Sequence, residues 1–586
     1  MTASVSALID FSTPGSPDGA RLRHAFGVPR ETLVAHRPDE VRPLLDAVQA
    51  HALQGRWCVG YLRYEAASAF DPALAVHAAD GPLAWFGVHD GTVPWPAPAD
   101  QTAPSLQWED TLTRPAFDRA MAEIHRAIAA GALYQLNYTA PLQAQPGELS
   151  DAARHALFAA LQRAQPGGYA AFIDAGDEQL LSVSPELFFD WRERRLLARP
   201  MKGTAARGAT AEEDAAASAG LRSSPKERAE NVMIVDLLRN DMSRVAEPFS
   251  VRVPRLFHTQ ALPTVWQMTS DVEARTRADC SLADLFAALF PCGSVTGAPK
   301  VAAMRMIRDL EPAPRGIYCG AVGVVQPGGA ATFNVPIRTV SLRGDAARCG
   351  IGSGITADAG TDGEWQEWRH KRAFLERAST PFALLETLAL EDGQLRHAEA
   401  HLARMAAAAT HFAYPWDARA VAQCLDALCT AHSEGRWRVR LLLDAQGRAQ
   451  AQAFAQDAVP SRVRLQLADR PFDAADSEFV RFKTTRRAHY EAFAPTRAGV
   501  FDTLLWNRRG ELTETTRGNI ALRIDGRWVT PPLRCGLLGG IGRAQALAEG
   551  RLAEAVVRVE DLPRVQALAF VNSLRGWIEA DLDRPT

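Results

Sequence analysis

The sequence predicts an α+β protein built as two units, and three observations carry that prediction. A chain of 586 residues is too long for one core, because single hydrophobic cores stop growing at roughly 250–300 residues. The charged helical run WQEWRHKRAFLERA is broken by Ser379-Thr380-Pro381, and a strand-like FALLETLAL with a turn at Asp392-Gly393 follows. That places a seam near 376–382 and predicts units over 1–378 and 379–586. Between 115 and 375, apolar strand-like segments (GYAAFID, ELFFDW, GIYCGAVGVVQ) alternate with helical ones, as in a large domain with extended sheets. The polar stretch VPWPAPADQTAP at 93–104 reads as a surface loop inside the first unit.

Composition narrows the class. Hydrophobic residues make up 47% and charged residues 23%, ordinary for a globular protein. A net charge of −3 gives no broad field for nucleic acid or an anionic membrane. No run approaches the ~18 apolar residues of a membrane span, and MTASVSALIDFSTPG has no basic start, so no signal peptide is expected. The eight cysteines form no C-x-x-C pair and read as reduced thiols of a cytoplasmic protein.

In the first unit, Ser224-Pro225 starts a helix whose apolar face is expected to run through Val232, Val235 and Leu238. Glu227 and Glu230 are three apart and share a face, and so do Glu364 and Glu367 in GEWQEWRHK. A solvated face accounts for either pair by spacing alone. Two such helices also offer the oxygen ligands that magnesium takes. PCGSVTGAPK is a glycine-containing turn feeding a helix, which presents backbone N–H groups to an anion, and GIGSGIT reads as a second small-residue turn. Arg338 sits on the strand-like NVPIRTV.

Together SPELFF, PMKGT, AENVMIVDLLRND, GSVTGAPK, YCGAVG and IGSGI resemble the chorismate-utilising family of anthranilate, isochorismate and aminodeoxychorismate synthases, in order over most of 115–378. The resemblance implies an antiparallel-sheet sandwich with surrounding helices. It implies Mg²⁺ on Glu230 and Glu367, with Glu227 and Glu364 behind them. It implies substrate contacts from Gln135, Gly203, Thr296, Tyr318, Arg338, Gly352 and Lys371, and Glu186 as the general acid. Lys202 in PMKGT resembles the aminodeoxychorismate branch, in which a lysine amine attacks C2 of chorismate and ammonia then displaces it at C4. Gln135 stands where the water-using branch has a lysine base, which favours ammonia chemistry. The family often has a histidine where this chain has Gln267. The LLES-type signature of tryptophan feedback is not seen.

In the second unit, RHAEAHLARM is helical, with His397, His401 and Arg404 near one face, and HAEAH is not the H-E-x-x-H of a zinc site. SEFVRFKTTRRAHY reads as a strand-like run with a basic cluster on a solvated edge, and CGLLGGIGRAQAL as a glycine-rich turn opening a helix suited to phosphate. With LLWNRRGELTETTRGNIAL they resemble the fold-type IV pyridoxal-phosphate family, an α/β aminotransferase-like fold. The resemblance implies Lys483 as the Schiff-base lysine, with Glu514 on the pyridine nitrogen. It implies a phosphate site from Arg404, Ile541 and Gly542, with help from Thr515 or Thr516, and a structural Asn519. Aminotransferases of that group usually carry a tyrosine five residues after the lysine, where this chain has Ala488.

The joint expectation is a cytoplasmic enzyme that makes aminodeoxychorismate from chorismate and ammonia, then eliminates pyruvate to give para-aminobenzoate for folate. No glutaminase elbow is present, so ammonia is expected from a separate glutamine amidotransferase or from solution. Fold-type IV relatives are usually dimers, which leaves a homodimer through the second unit open. Two rivals are a non-catalytic dimerisation module on the second unit and an anthranilate synthase with an attached aminotransferase.

Overall fold

The computed structural model describes residues 5–14, 20–97, 103–206, 211–261, 265–456, 458–475 and 477–583. The chain divides into two compact units, Met1–Pro381 and Phe382–Thr586. Of the polar stretch at 93–104, residues 98–102 lie outside the described residues, while Val93 bridges to Ala25.

Among the described residues, two antiparallel sheets form the first unit. One has nine strands and includes, as neighbours, Gln135–Ala144, Ala346–Ile355 and Thr339–Arg343; the other has ten and includes Met201–Ala206, Val265–Arg275 and Leu187–Arg192. The two-residue period of a strand sorts its side chains between layers. In Ala7–Ser12, Ile9 joins Val59, Tyr61 and Val322 in a cluster shared by the two sheets, while Leu8 joins Phe117, Leu157 and Trp368 on the far side. Helices Pro38–Leu53, Pro225–Ser243 and Leu282–Leu289 cover the outer face of the ten-stranded sheet. Helices Arg114–Ala129, Asp151–Ala164, Lys300–Leu310 and Thr361–Lys371 cover the outer face of the nine-stranded one.

Two local expectations are corrected. The helix Pro225–Ser243 does begin at Ser224, whose hydroxyl accepts from the Glu227 amide at 3.4 Å. Its buried face, however, runs Asn231, Ile234, Val235, Leu238, Asp241 and Met242, and Val232 is 37% exposed. The sequence GIGSGIT is not a turn: Gly350–Ile355 ends the ten-residue strand Ala346–Ile355, of which residues 347–355 pair in antiparallel register with residues 144–136.

The second unit has a four-stranded antiparallel sheet, with Leu384–Glu391 and Arg436–Leu443 at its centre, packed against helices Ala398–Phe412 and Ala418–Ala431. Its other sheet has eight strands of mixed direction, in which Arg462–Leu467 runs parallel to both Asp502–Trp506 and Gly576–Asp583. The strand expected around Lys483 is instead a short helix, Glu478–Arg481, followed by a bridge from Thr484 to Leu384. Among the described residues no helix is long and apolar enough to cross a membrane, and all eight cysteines are free.

Candidate active sites

In the first unit the strand Ala346–Ile355 turns Gly350, Gly352 and Gly354 to one face, and the absence of side chains there lets functional groups approach. A Cβ on Gly350 would stand 2.3 Å from the Tyr318 ring, and one on Gly352 would meet the Tyr138 carbonyl at 2.4 Å. On Gly354 it would meet Gln135 Nε2 at 2.4 Å and Lys202 Nζ at 2.8 Å. Lys202 and Gln135 therefore converge over Gly354. Gln135 is fully buried, and neither of its amide atoms has a hydrogen-bond partner among the described residues. A buried amide left so is costly, which marks a place that a ligand completes. We expect Gly354→Ala to fold, because its Cβ would displace only two side-chain ends. It should lower kcat/KM for chorismate on the order of 100-fold, the cost of misplacing a reacting group by about 1 Å; steady-state kinetics on the purified variant would check this.

Burial lowers the Lys202 ammonium from its ordinary value, against the pull of Glu230 and with the push of Lys371; Glu186 and Glu367 also act on it. These charges therefore lie within electrostatic reach of one another. Burial pushes the Glu186 carboxyl up to about 7, opposed by Ser294, Lys202 and Lys371. Its Oε1 is buried and has no partner among the described residues. Gly203 has a φ of +90°, and a Cβ there would lie 2.8 Å from Glu227 Oε2, so the residue after Lys202 has to be glycine. Gln267, where relatives often have histidine, donates to the Gly203 carbonyl at 2.8 Å and accepts from Thr204 at 3.1 Å. It braces the Lys202 strand.

The four predicted metal carboxylates share this neighbourhood. Burial raises Glu227, Glu230 and Glu364, and Glu367 adds a repulsive push to each. Burial would raise Glu367 too, but Lys371 at 2.7 Å outweighs it and leaves that carboxyl below its ordinary value. Lys371 also donates to the Gly352 carbonyl at 2.9 Å. Among the described residues no group of three or more His, Cys, Asp or Glu is already gathered as a metal site.

Thr296 lies beside Gln135 in the fold: its carbonyl accepts from Asn137 N at 2.8 Å, and its hydroxyl turns to the Cys292 and Gly293 carbonyls. The Arg338 guanidinium donates to Gln165, and no carboxylate pairs with it among the described residues. Burial and the nearby Arg377 lower it to about 10. A buried cation held by a neutral amide is suited to an incoming carboxylate.

A buried pair that sequence reasoning missed ties these segments together. Arg315 forks onto Glu311 at 2.7 and 2.8 Å, and donates to the Val295 and Asn137 carbonyls at 2.7 Å. Glu311 accepts from Thr139 N at 2.9 Å, and Glu65 from Arg315 N at 2.8 Å. The segments bearing Thr296, Gln135 and Tyr318 are thus fixed to one another.

In the second unit, Lys483, Arg404, Glu514, Thr515, Thr516, Asn519 and Ile541 line a cavity of about 280 Å³. Burial lowers the Lys483 ammonium to about 8, against the pull of Glu386 and with the push of Arg404 and Arg487. The basic cluster around it is therefore no solvated edge. Burial pushes Glu514 up to about 8, opposed by Tyr490, whose hydroxyl donates to it at 2.6 Å. Tyr490 lies seven residues after the lysine and was not singled out by the sequence. Asn519 donates to the Leu538 carbonyl at 2.9 Å and approaches Glu514 at 3.4 Å.

Arg404 donates to Glu386 at 2.7 and 2.8 Å and to the Gly539 carbonyl at 2.8 Å. Burial alone would raise Glu386, but Arg404 and His401 outweigh it and hold its carboxyl at about 2. Glu386 is a second residue missed by sequence reasoning. His401 serves it at 2.6 Å. The hydroxyl of Thr515 donates to the Gly518 carbonyl at 2.8 Å, and that of Thr516 to Asp502 at 2.6 Å. Both hydroxyl protons are thus engaged within the protein. The helix Ile541–Ala548 opens on Gly540, and a Cβ on Gly542 would meet the Asn572 backbone at 2.8 Å. Its first amides and Arg404 form a cradle suited to a phosphate.

A family profile described as chorismate binding enzyme matches residues 25–377, and one described as amino-transferase class IV matches residues 383–581. The chain is 39% identical over 278 residues to aminodeoxychorismate synthase component 1 of Klebsiella aerogenes, which covers 46% of this chain and 60% of that protein. It is 34% identical over 305 residues to the component 1 of Salmonella typhimurium, covering 51% and 66%. The chain thus spans about two thirds or less of these relatives' length. Anthranilate synthase component I of Streptococcus pneumoniae has a similar fold, with a TM-score of 0.51 at 23% identity over 64% of this chain and 92% of that one.

Proposed function

This chain belongs to the chorismate-binding enzyme family, and from that premise we propose that its first unit converts chorismate and ammonia to 4-amino-4-deoxychorismate. Its second unit, over the class IV amino-transferase match, then eliminates pyruvate to give para-aminobenzoate. The observation that carries the reading is the meeting of Lys202 Nζ with Gln135 over Gly354, within reach of Glu186. An amine nucleophile and an acid stand at one place with an amide, Gln135, that cannot activate water.

Neutral Lys202 forms a bond to C2 of chorismate while the ring double bonds shift and the C4 hydroxyl leaves. Glu186 donates the proton that makes the leaving group water. Ammonia then bonds to C4, the double bonds shift back, the C2–N bond breaks to return the neutral lysine, and the proton shed by the new C4 ammonium returns to the Glu186 carboxylate. Thr296, Tyr318, Gly352, Lys371 and Arg338 bind the carboxylates.

The donor set suits a hard divalent cation: four carboxylates, three of them raised by burial and mutual repulsion that such a cation relieves. Glu230 and Glu367 would hold Mg²⁺, with Glu227 and Glu364 behind. Bound there, the ion would neutralise substrate carboxylate charge. Although Lys371 sits on Glu367 and Lys226 approaches Glu230 at 4.0 Å, the burial and mutual repulsion of these carboxylates lead us to expect that EDTA abolishes the first step. Added Mg²⁺ should restore the full rate in the wild type. At the same concentration it should restore only a small fraction in Glu230→Gln, as read by chorismate consumption.

The second cavity suits pyridoxal phosphate: a lysine amine, a buried carboxylate and a phosphate cradle line one space. That group supplies an electron sink when bound. Lys483 takes the C4 proton, the C3–O bond breaks, and the enolpyruvyl methylene receives a proton as pyruvate leaves. Glu514 would stand on the ring nitrogen, and Arg404 with the Ile541 and Gly542 amides would hold the phosphate. We place the enzyme in the cytoplasm, with a separate glutamine amidotransferase supplying ammonia and the second unit able to pair with a copy of itself.

The test is the aromatic product from chorismate, Mg²⁺, ammonia and pyridoxal phosphate. Para-aminobenzoate supports the reading, and ortho-aminobenzoate overturns it. A pH profile gives a further check. Glu186 must be protonated to act, so kcat/KM of the first step, referred to free ammonia, should fall as pH rises through about 7. Glu186→Gln should lose that limb together with most of the rate.

A further inference from the structure

The cavity of the second unit holds more positive charge than its cofactor would use. Arg404, Arg438, Lys483, Arg487, Arg517 and Arg575 line it, against one carboxylate, Glu514. Several of these cations are accounted for. Arg404 is neutralised by Glu386. Arg517 approaches buried Asp502 at 3.4 Å, and Arg517 and Arg575 both lie over the Phe501 ring. Lys483 and Glu514 belong to the cofactor under the proposed function.

Two remain. Arg438, on the strand Arg436–Leu443, lies 4.9 Å over the Phe454 ring. Arg487, four residues after Lys483, lies 4.6 Å over Tyr490 and donates to the Thr516 carbonyl. Neither has a carboxylate partner among the described residues. They come from different sheets' surroundings, Arg438 from the four-stranded sheet and Arg487 from the segment after the lysine. Each planar fork retains N–H donors matched to a carboxylate.

We propose that Arg438 and Arg487 are the substrate-selecting residues of the second unit and that its substrate class is an amine bearing two carboxylates. A monocarboxylate amino acid would leave one of the two cations unmatched and forgo one charge-assisted, two-pronged pair, which discriminates against it. This deepens the proposed function and rests on it, since chorismate's ring and enolpyruvyl carboxylates both survive in the amino product. It also separates the reading from that of an aminotransferase confined to monocarboxylate amino acids by a feature of the cavity itself.

The test is a titration of the full chain loaded with pyridoxal phosphate, read by the visible band of the lysine–cofactor adduct. That band reports the second cavity alone. The probes are 3-(carboxymethoxy)benzoate and benzoate. An anion seated beside the band's protonated nitrogen raises the pH at which the band is lost. The dicarboxylate should bind at least tenfold tighter than benzoate, and Arg438→Gln or Arg487→Gln should reduce that preference to about twofold. An unchanged band in either variant without probe shows that the fold and cofactor site persist. A wild-type chain with no preference, or a double variant that keeps it, overturns the inference and leaves the proposed function standing. A chain that forms no band at all overturns both.

Discussion

Lys202→Ala should stop the first reaction while leaving the second intact. The expected fall in kcat for aminodeoxychorismate formation is on the order of 10²–10⁴-fold, the range for removal of a positioned reacting group. Supplied 4-amino-4-deoxychorismate should still be converted at the wild-type rate. Burial disfavours the Lys202 ammonium, so its removal relieves a desolvation cost and should not unfold the protein. It also withdraws a cation from Glu230 and Glu227, whose carboxyls should rise further. Chorismate consumption with ammonia, and quenching of the reaction to trap a covalent adduct on the wild type, are the measurements. A variant within tenfold of wild type would mean that ammonia attacks C4 directly and that Lys202 serves only as a cation.

Lys483→Ala should produce the opposite pattern. Aminodeoxychorismate should accumulate at the wild-type rate, para-aminobenzoate formation should fall on the order of 10³-fold or more, and the visible band should vanish. The structural ground is that Lys483 is held close to neutral, at about 8, by burial with Arg404 and Arg487 beside it. It is thus ready both to condense with an aldehyde and to carry a proton near neutral pH. Chromatography of the products from the two variants, mixed and separate, makes the check sharp. Mixed together, Lys202→Ala and Lys483→Ala should restore the complete conversion, since each supplies the half the other lacks. If para-aminobenzoate persists in Lys483→Ala alone, another group moves the proton and the second-unit reading fails.

Most of the fold could be read from the chain because its signals are local. Ser224-Pro225 caps a helix by chemistry confined to one turn, and alternation in segments such as GYAAFID marks strands irrespective of what they face. Lys202, Gln135 and Glu186 were legible through the motifs that contain them, and the structure brings them to one place. What stayed hidden depends on groups distant in sequence. Glu386 gives no sign in FALLETLAL that it meets Arg404 and His401. Glu311 and Arg315 are an ordinary i, i+4 pair until Asn137, Thr139 and Val295 close around them. Tyr490 was passed over because the expected tyrosine was sought at position 488. The error at GIGSGIT has a simple cause. Glycine usually marks turns through its backbone freedom, whereas here its missing side chain is what the strand uses.

That strand carries a thermodynamic consequence. Gly350, Gly352 and Gly354 are held extended within a sheet, and each loses more backbone freedom on folding than alanine would, roughly 0.5–1 kcal/mol apiece. The sheet is therefore weaker by an amount comparable with a whole deleted side chain, and the loss arises in the entropy of the unfolded chain rather than in the packing of the folded one. At Gly350 and Gly352 an added Cβ would run into the Tyr318 ring and the Tyr138 carbonyl, so only at Gly354 could a side chain restore this stability, and there it would occupy the space in which Gln135 and Lys202 work. Selection for heat resistance alone should therefore drive position 354 away from glycine, and selection for turnover should return it.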